Sequence, residues 1–176
     1  MKQSRILCSL LLTLVLAGCA TTVPRSIREA APGNITVAQA RAAGARLVGS
    51  QIRWGGTIAD IENHPTDTWI DVVDRPLESD GRPQQTDQTG GRFLVRVAGF
   101  LDPSIYGRGR DITVSGTLLA PRSRTIGEYP YVFPVVKAEQ VHLWPRPVPV
   151  QHYYYSPFWS APWYPWGYPF PYDPYY

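Results

Sequence analysis

Cysteine is nearly missing from this chain. Two occur in 176 residues, Cys8 and Cys19. Past them nothing can form a disulfide, act as a thiolate nucleophile or supply a cysteine-ligated zinc site. Histidine is also scarce. His64, His142 and His152 are scattered, whereas a zinc site wants about four N or S ligands at short local spacings. No metal and no cofactor is expected. A strong excess of one charge is lacking too, since 17 Lys and Arg stand against 14 Asp and Glu for a net +3. That balance argues against a nucleic-acid partner. No run of about 20 apolar residues is present, so no membrane-spanning helix is expected. Ser104 and Ser123 lack a G-x-S-x-G setting. Asp71 with Asp74, and Glu78 with Asp80, read as solvated acids in or beside a loop. No catalytic residue is assigned.

The amino-terminal end carries a positive signal. Lys2 and Arg5 precede an apolar run from Ile6 to Leu16, broken only by Cys8, Ser9 and Thr13. This is the layout of an export leader. Leu16-Ala17-Gly18-Cys19 resembles the bacterial lipobox. The resemblance implies removal of residues 1–18 and attachment of a diacylglyceryl group to the Cys19 thiol, with acylation of the new amine, a palmitate for example. Loss of Lys2 and Arg5 leaves the mature chain close to neutral. Ala20, in place of an acidic residue, implies sorting to the outer membrane. Each buried methylene contributes about 0.8 kcal/mol and one chain anchors only marginally, so two or three acyl chains make the attachment essentially permanent. Residues 19–33, small and polar with Pro24 and Pro32, read as a lipidated tether.

The domain is expected over residues 34–146. Thr36-Val37-Ala38-Gln39 has the form of a capping box. Val37, Ala40, Gly44 and Leu47 then recur at helical spacing, with Gly49 as the stop. After Gly49 the period becomes two. Ile52, Trp54 and Ile58 alternate with Arg53, Gly55 and Thr57. Ile70 and Val72 alternate with Trp69, Asp71 and Val73. Phe93, Val95 and Val97 alternate with Leu94 and Arg96. Ile112, Val114 and Leu118 alternate with Thr113, Ser115 and Thr117. A fifth β-rich run covers Val132 to Trp144, with Pro134 near its start. Strands with one polar and one apolar face indicate a mainly β fold. The expected architecture is a small antiparallel five-stranded OB-like barrel with one short amino-terminal helix. A small β-sandwich is the alternative. Gly55-Gly56, Gly99 and Gly116 mark bends. Two loops stand out. Residues 75–91 are long and polar, which suggests function or disorder. Residues 101–109 allow one helical turn.

From Pro147 the composition changes to Pro, Tyr, Trp and Phe. Frequent Pro excludes a continuous helix or a central strand. The segment 147–176 is expected to be an extended, disordered, polyproline-like tail. Trp159, Trp163 and Trp166 are its candidate contacts, because Trp prefers membrane–water interfaces and stacks on sugar faces.

Several segments occur together in one order: Arg53-Trp54-Gly55-Gly56, Val72-Val73-Asp74-Arg75-Pro76-Leu77, Gly91-Arg92-Phe93, Gly99-Phe100-Leu101-Asp102-Pro103, Ile126-Gly127-Glu128-Tyr129-Pro130-Tyr131 and His142-Leu143-Trp144. The set resembles the Slp family of outer-membrane lipoproteins, linked to starvation and stationary phase. The resemblance spans Thr36 to Trp144 and leaves the aromatic tail outside. It implies a lipid-anchored outer-membrane protein with a β-rich domain, no known reaction and no carried-over catalytic residue; the periplasmic side is the expected one, and the sequence leaves the surface side open. Two roles remain open: a structural or interaction protein of the stressed envelope, and a module binding glycan, lipid or peptide. A concave polar groove points to the second. A buried, converging pair of perturbed acids points to an enzyme instead. Arg82, Arg92, Arg108 and Arg110 each follow or adjoin a glycine. They read as solvent-facing, although a cluster of them would suit phosphates. The sequence sets no oligomeric state.

Overall fold

A computed structural model describes residues 23–147. Cys19, the leader and the tail residues Trp159, Trp163 and Trp166 lie outside the described residues. The elements in order are α1 (Arg25–Arg28), α2 (Val37–Ala43), a 3-10 turn (Gly44–Leu47), β1 (Gln51–Asn63), β2 (Asp67–Asp74), β3 (Arg92–Ala98), β4 (Asp111–Ile126) and β5 (Tyr129–Leu143).

The strands close into a barrel in the order β1-β2-β3-β5-β4. Four junctions are antiparallel, and β3 pairs with β5 in parallel. The expected barrel is present, with this one departure from an all-antiparallel ring. The reason is topological. Strand direction can alternate around a closed ring only when the number of strands is even, so five strands leave one parallel junction.

The apolar phases read from the sequence fill the interior. Ile52, Trp54 and Ile58, Ile70 and Val72, Phe93 and Val95, and Ile112, Val114 and Leu118 join Val136 in one buried cluster. Side chains alternate between faces at a period of two, so these positions must point the same way once the ring closes. Gly56 lies between Trp54 and Ile58 on that face. A Cβ there would enter the shell of the Val73 carbonyl, and one at Gly116 would meet the Lys137 carbonyl. These two glycines let neighbouring strands approach at the bends.

The cap of α2 is as the sequence requires. Gln39 N donates to Thr36 Oγ1 at 3.2 Å and Thr36 N donates to Gln39 Oε1 at 2.9 Å. Val37 and Ala40 are buried against the barrel core. The α-helix stops at Ala43, earlier than expected, because Gly44 adopts a positive φ of 60°. The chain then tightens into the 3-10 turn before Gly49.

Three regions differ from the sequence expectation. The segment read as a tether contains α1, whose Ile27 is fully buried. The 75–91 loop is held by the barrel: Gln84 N donates to Pro76 O at 2.8 Å and Thr113 Oγ1 donates to Gly81 O at 2.6 Å. Finally, β4 runs past Leu118 to Ile126 and forms a long hairpin with β5. Pro121 and Pro134 both fall within the register shift between Leu119 and Arg122. A bulge tolerates them because neither is asked for a ladder N–H. The hairpin turns over the outside of the barrel and buries Leu94, Phe133 and Val135 as a second cluster.

The 101–109 loop has the single turn expected. Ile105 N and Tyr106 N donate to Asp102 O at 3.0 and 2.9 Å, and Ser104 N donates to the Asp102 carboxylate at 2.8 Å.

Candidate ligand-binding groove

The hairpin extension leaves a concavity of about 380 Å³ against the outer face of β1, β2 and β3. Its walls are Asp60 and Glu62 from β1, Trp69 and Asp71 from β2, Leu94 from β3, Arg124 and Thr125 from β4, and Phe133 from β5. The strand phase explains the set. On β2 and β3 these positions alternate with the core residues, and on β1 the register shift after Ile58 turns Asp60 and Glu62 outward while Ile61 packs against the core. A register shift between Ile58 and Asp60 aligns Asp60 directly with Asp71 and Glu62 with Trp69. Like charges directly opposed across a ladder are destabilising. The barrel therefore holds two carboxylates side by side where packing alone would choose otherwise.

Arginines surround this acidic floor. Arg92 Nη1 lies 3.1 Å from Asp71 Oδ2, and Arg108 Nη2 lies 3.1 Å from Asp60 Oδ1. Arg124 Nη1 donates to both Glu62 oxygens at 3.2 Å. The guanidinium groups of Arg122 and Arg124 also sit 4.7 and 5.5 Å from the Trp69 ring centre. Asp71 is paired through one oxygen only. Its Oδ1 is buried without a hydrogen-bond partner. Burial raises the Asp71 carboxyl above the usual carboxylate range, against the lowering effect of Arg92. An orphaned buried acceptor costs about 1–3 kcal/mol, and a proton on the raised carboxyl, or a donor admitted by a small opening of the floor, would relieve it.

Asp74 behaves differently. Three positions along β2 carry it to the opposite face, beside α2, where its Oδ2 accepts from Gly90 N at 3.0 Å. Burial raises its carboxyl too. The two perturbed acids thus line separate cavities and do not converge on one reacting point. The second cavity, beside α2, also gathers Arg53, Trp54, Arg75 and Leu77. Several of these groups already serve the fold. Trp54 Nε1 donates to Ile35 O at 2.7 Å and Arg53 Nη1 donates to Ile27 O at 3.1 Å.

The remaining sequence candidates are dispersed. Glu78 and Asp80 stay in the 75–91 loop, where Asp80 Oδ1 accepts from Arg82 N. Arg82 stacks on Trp144 at 4.8 Å, and Arg110 donates to the carbonyls of Ile105 and Trp144. Of the four glycine-flanked arginines, Arg92 and Arg108 pair with acids of the groove wall without lining the concavity themselves. His64 lies 3.7 Å from Glu62, while His142 packs edge-on against Trp144 and is held below its usual pKa mainly by burial. Among the described residues no group of three or more His, Cys, Asp or Glu could hold a metal ion. Asp60, Glu62 and Arg124 were not singled out from the sequence. Asp60 and Glu62 share the sequence phase of Ile52, Trp54 and Ile58, so only the register shift after Ile58 turns them outward, and Arg124 falls in a stretch with no clear alternation.

A family model described as the outer membrane lipoprotein Slp family matches residues 16–176. That match takes in the aromatic tail, which the sequence resemblance had left outside. Outer membrane protein Slp of Escherichia coli (strain K12) is 33% identical over 129 residues, covering 70% of this chain and 67% of that protein. The uncharacterized lipoprotein YeaY of the same organism is 32% identical over 132 residues, covering 74% and 67%. Among solved structures, a small single-stranded DNA-binding protein from Streptomyces coelicolor shows a TM-score of 0.36 at 14% identity, covering 54% of this chain and 94% of that one. The mitochondrial single-stranded DNA-binding protein Rim1 from S. cerevisiae gives 0.34 at 15%, with the same coverages.

Proposed function

The chain belongs to the Slp family of outer membrane lipoproteins, and on that premise we propose that its barrel is a non-enzymatic binding module that captures a donor-rich envelope glycan in the groove above Asp71. The protein is an outer membrane lipoprotein. Cys19 carries its lipid, the barrel faces the periplasm, and the module acts when the envelope is remodelled under starvation.

The orphaned Oδ1 of Asp71 carries this reading. It is a buried acceptor on the floor of a polar concavity, next to a second carboxylate and an apolar wall of Trp69, Leu94 and Phe133. Sugar hydroxyls and amides supply donors in the number such a floor requires, and sugar rings present apolar faces to the wall. A cluster of arginines seeking phosphate would be arranged differently, since here Arg92, Arg108 and Arg124 are each engaged by a carboxylate.

The test is a titration of the unlipidated Cys19→Ser chain with soluble peptidoglycan fragments, read by backbone NMR shifts at Trp69, Asp71 and Thr125. Asp71→Leu, which removes the acceptor, should weaken binding by at least about tenfold, or roughly 1.4 kcal/mol, while a parallel melt shows the fold retained. Binding that ignores Asp71→Leu would place the ligand elsewhere. Absence of any shift with glycan would return the domain to a purely structural role.

A further inference from the structure

We infer that the cavity beside α2 is a second binding site, separate from the groove above Asp71, and that it takes a monocarboxylate carrying an apolar tail.

Two short stretches of sequence meet there. Arg53-Trp54-Gly55 comes from β1, and Asp74-Arg75-Pro76-Leu77 from the end of β2 and the loop after it. The strands run antiparallel with Gly56 set against Asp74, so the two stretches lie side by side. Arg75 N donates to Gly55 O at 3.0 Å, and Gln84 N donates to Pro76 O at 2.8 Å. These bonds fix the loop side of the cavity, and residues 34–38 form another side. The space between has a volume of about 530 Å³, within the range of small-molecule sites.

Its charges do not balance within the fold. Arg53 Nη1 is spent on the carbonyls of Ile27 and Arg28. Among the described residues no acid forms an ion pair with it, and burial lowers its guanidinium below the usual pKa with no carboxylate to offset the loss of water. Arg75 is held little better. Its side chain is 23% exposed, while Asp87 stands 3.9 Å away and fully in solvent. That separation is too long for a hydrogen bond, and water screens the attraction. Asp74 is the one acid on the wall. It accepts from Gly90 N at 3.0 Å and pairs with neither arginine. Two cations against one carboxylate leave a net charge of +1 with Asp74 ionised. A monoanion neutralises that charge, and a phosphate dianion overshoots it. A guanidinium also presents paired N–H groups that match a carboxylate.

The rest of the wall is apolar. Ile35, Val37, Pro76 and Leu77 line it. Trp54 adds ring surface only, because its Nε1 is spent on Ile35 O at 2.7 Å. A bare anion would leave this surface wet, whereas an alkyl tail covers it. The groove has the opposite character. Asp60, Glu62 and Asp71 line it with Arg124 as the one cation, so it would repel a carboxylate. The two sites therefore select different chemistry.

The unlipidated, full-length Cys19→Ser chain is titrated with decanoate below its micelle-forming concentration, and backbone NMR shifts are followed at Arg53, Asp74, Leu77 and Gly90. Decanol offers the same tail without charge, and decyl phosphate offers another anionic headgroup. Decanoate should move these four resonances and bind at least about tenfold more tightly than either. Arg75→Gln keeps the backbone bond to Gly55 O. It should weaken decanoate by at least about tenfold and leave decanol unchanged, while Arg75→Lys, which keeps the charge, should lose less. Equal affinity for decanoate and decanol would overturn the charged site. Tighter binding of decyl phosphate would overturn the monocarboxylate. Shifts confined to Trp69 and Thr125 of the groove, or no shifts, would overturn the cavity as a site. Should Arg75→Gln fail to fold, the three ligands on the Cys19→Ser chain still decide.

Discussion

Trp54 offers the most direct test of the barrel. Its side chain is 4% exposed inside the ring. It meets Phe93 edge-on, with ring centres 5.3 Å apart and planes at 68°. Its Nε1 donates to Ile35 O at 2.7 Å, tying the strand to the segment before α2. Truncation of a buried Trp to Ala costs about 3–5 kcal/mol, as transfer and cavity terms combine. The aromatic pair accounts for about 0.5–1.5 kcal/mol beyond area alone. Trp54→Phe separates the contributions. It keeps most of the ring burial but leaves the Ile35 carbonyl without its donor, an expected loss of about 1–2 kcal/mol. Against a total stability of about 5–15 kcal/mol for a domain of this kind, the Ala variant is marginal and the Phe variant stays measurable. Urea melts followed by far-ultraviolet circular dichroism should rank wild type above Trp54→Phe above Trp54→Ala. The midpoints should move with the slopes unchanged. A loss below about 1 kcal/mol for the Ala variant, the scale of a surface substitution, would refute the placement of Trp54 in the core.

Other substitutions probe the remaining assignments. Gly56→Ala forces a Cβ into the Val73 carbonyl, so it should destabilise by about 1–3 kcal/mol through overpacking; a neutral melt would contradict the close strand approach. Burial raises the Asp74 carboxyl, so its contribution to stability is fully present below about pH 3.9 and declines as pH rises through the folded pKa. Asp74→Asn retains an acceptor for Gly90 N, and should match or exceed wild type in urea melts at pH 7, with any advantage shrinking toward pH 3; an advantage that grows on acidification would reverse the sign. Cys19→Ser should shift the protein out of the membrane fraction, apart from what the aromatic segment holds unaided, whereas full retention after the tail tryptophans are also removed would exclude a lipid anchor at that residue. A chain ending at Arg146 should melt like the full-length protein, because the described strands end by Leu143; a collapsed melt would make the aromatic segment part of the fold.

The sequence alone determined α2, the five strands and most of their inward faces, but not α1 or the length of β4. Alternation placed Ile52, Trp54, Ile70, Phe93, Ile112 and Val114 on one side of their strands, and all of them are in the core. The capping box located the start of α2 to the residue. Both signals are local, a period of two and a four-residue hydrogen-bonding pattern, so they survive in a one-dimensional reading. Tertiary structure decided what covers the other faces. Leu94 reads as an outward residue, yet it is buried because the β4–β5 hairpin bends over it with Phe133. Asp71 and Asp74 read as one acidic pair in a solvated loop, yet strand geometry sends them to different cavities and burial perturbs each separately. Asp60 meets Asp71 only through a register shift, and Ile27 approaches Trp144 only through Gly81 and Thr113. Such contacts join residues far apart in the chain, and their partners are chosen when the ring closes, which no local period can encode.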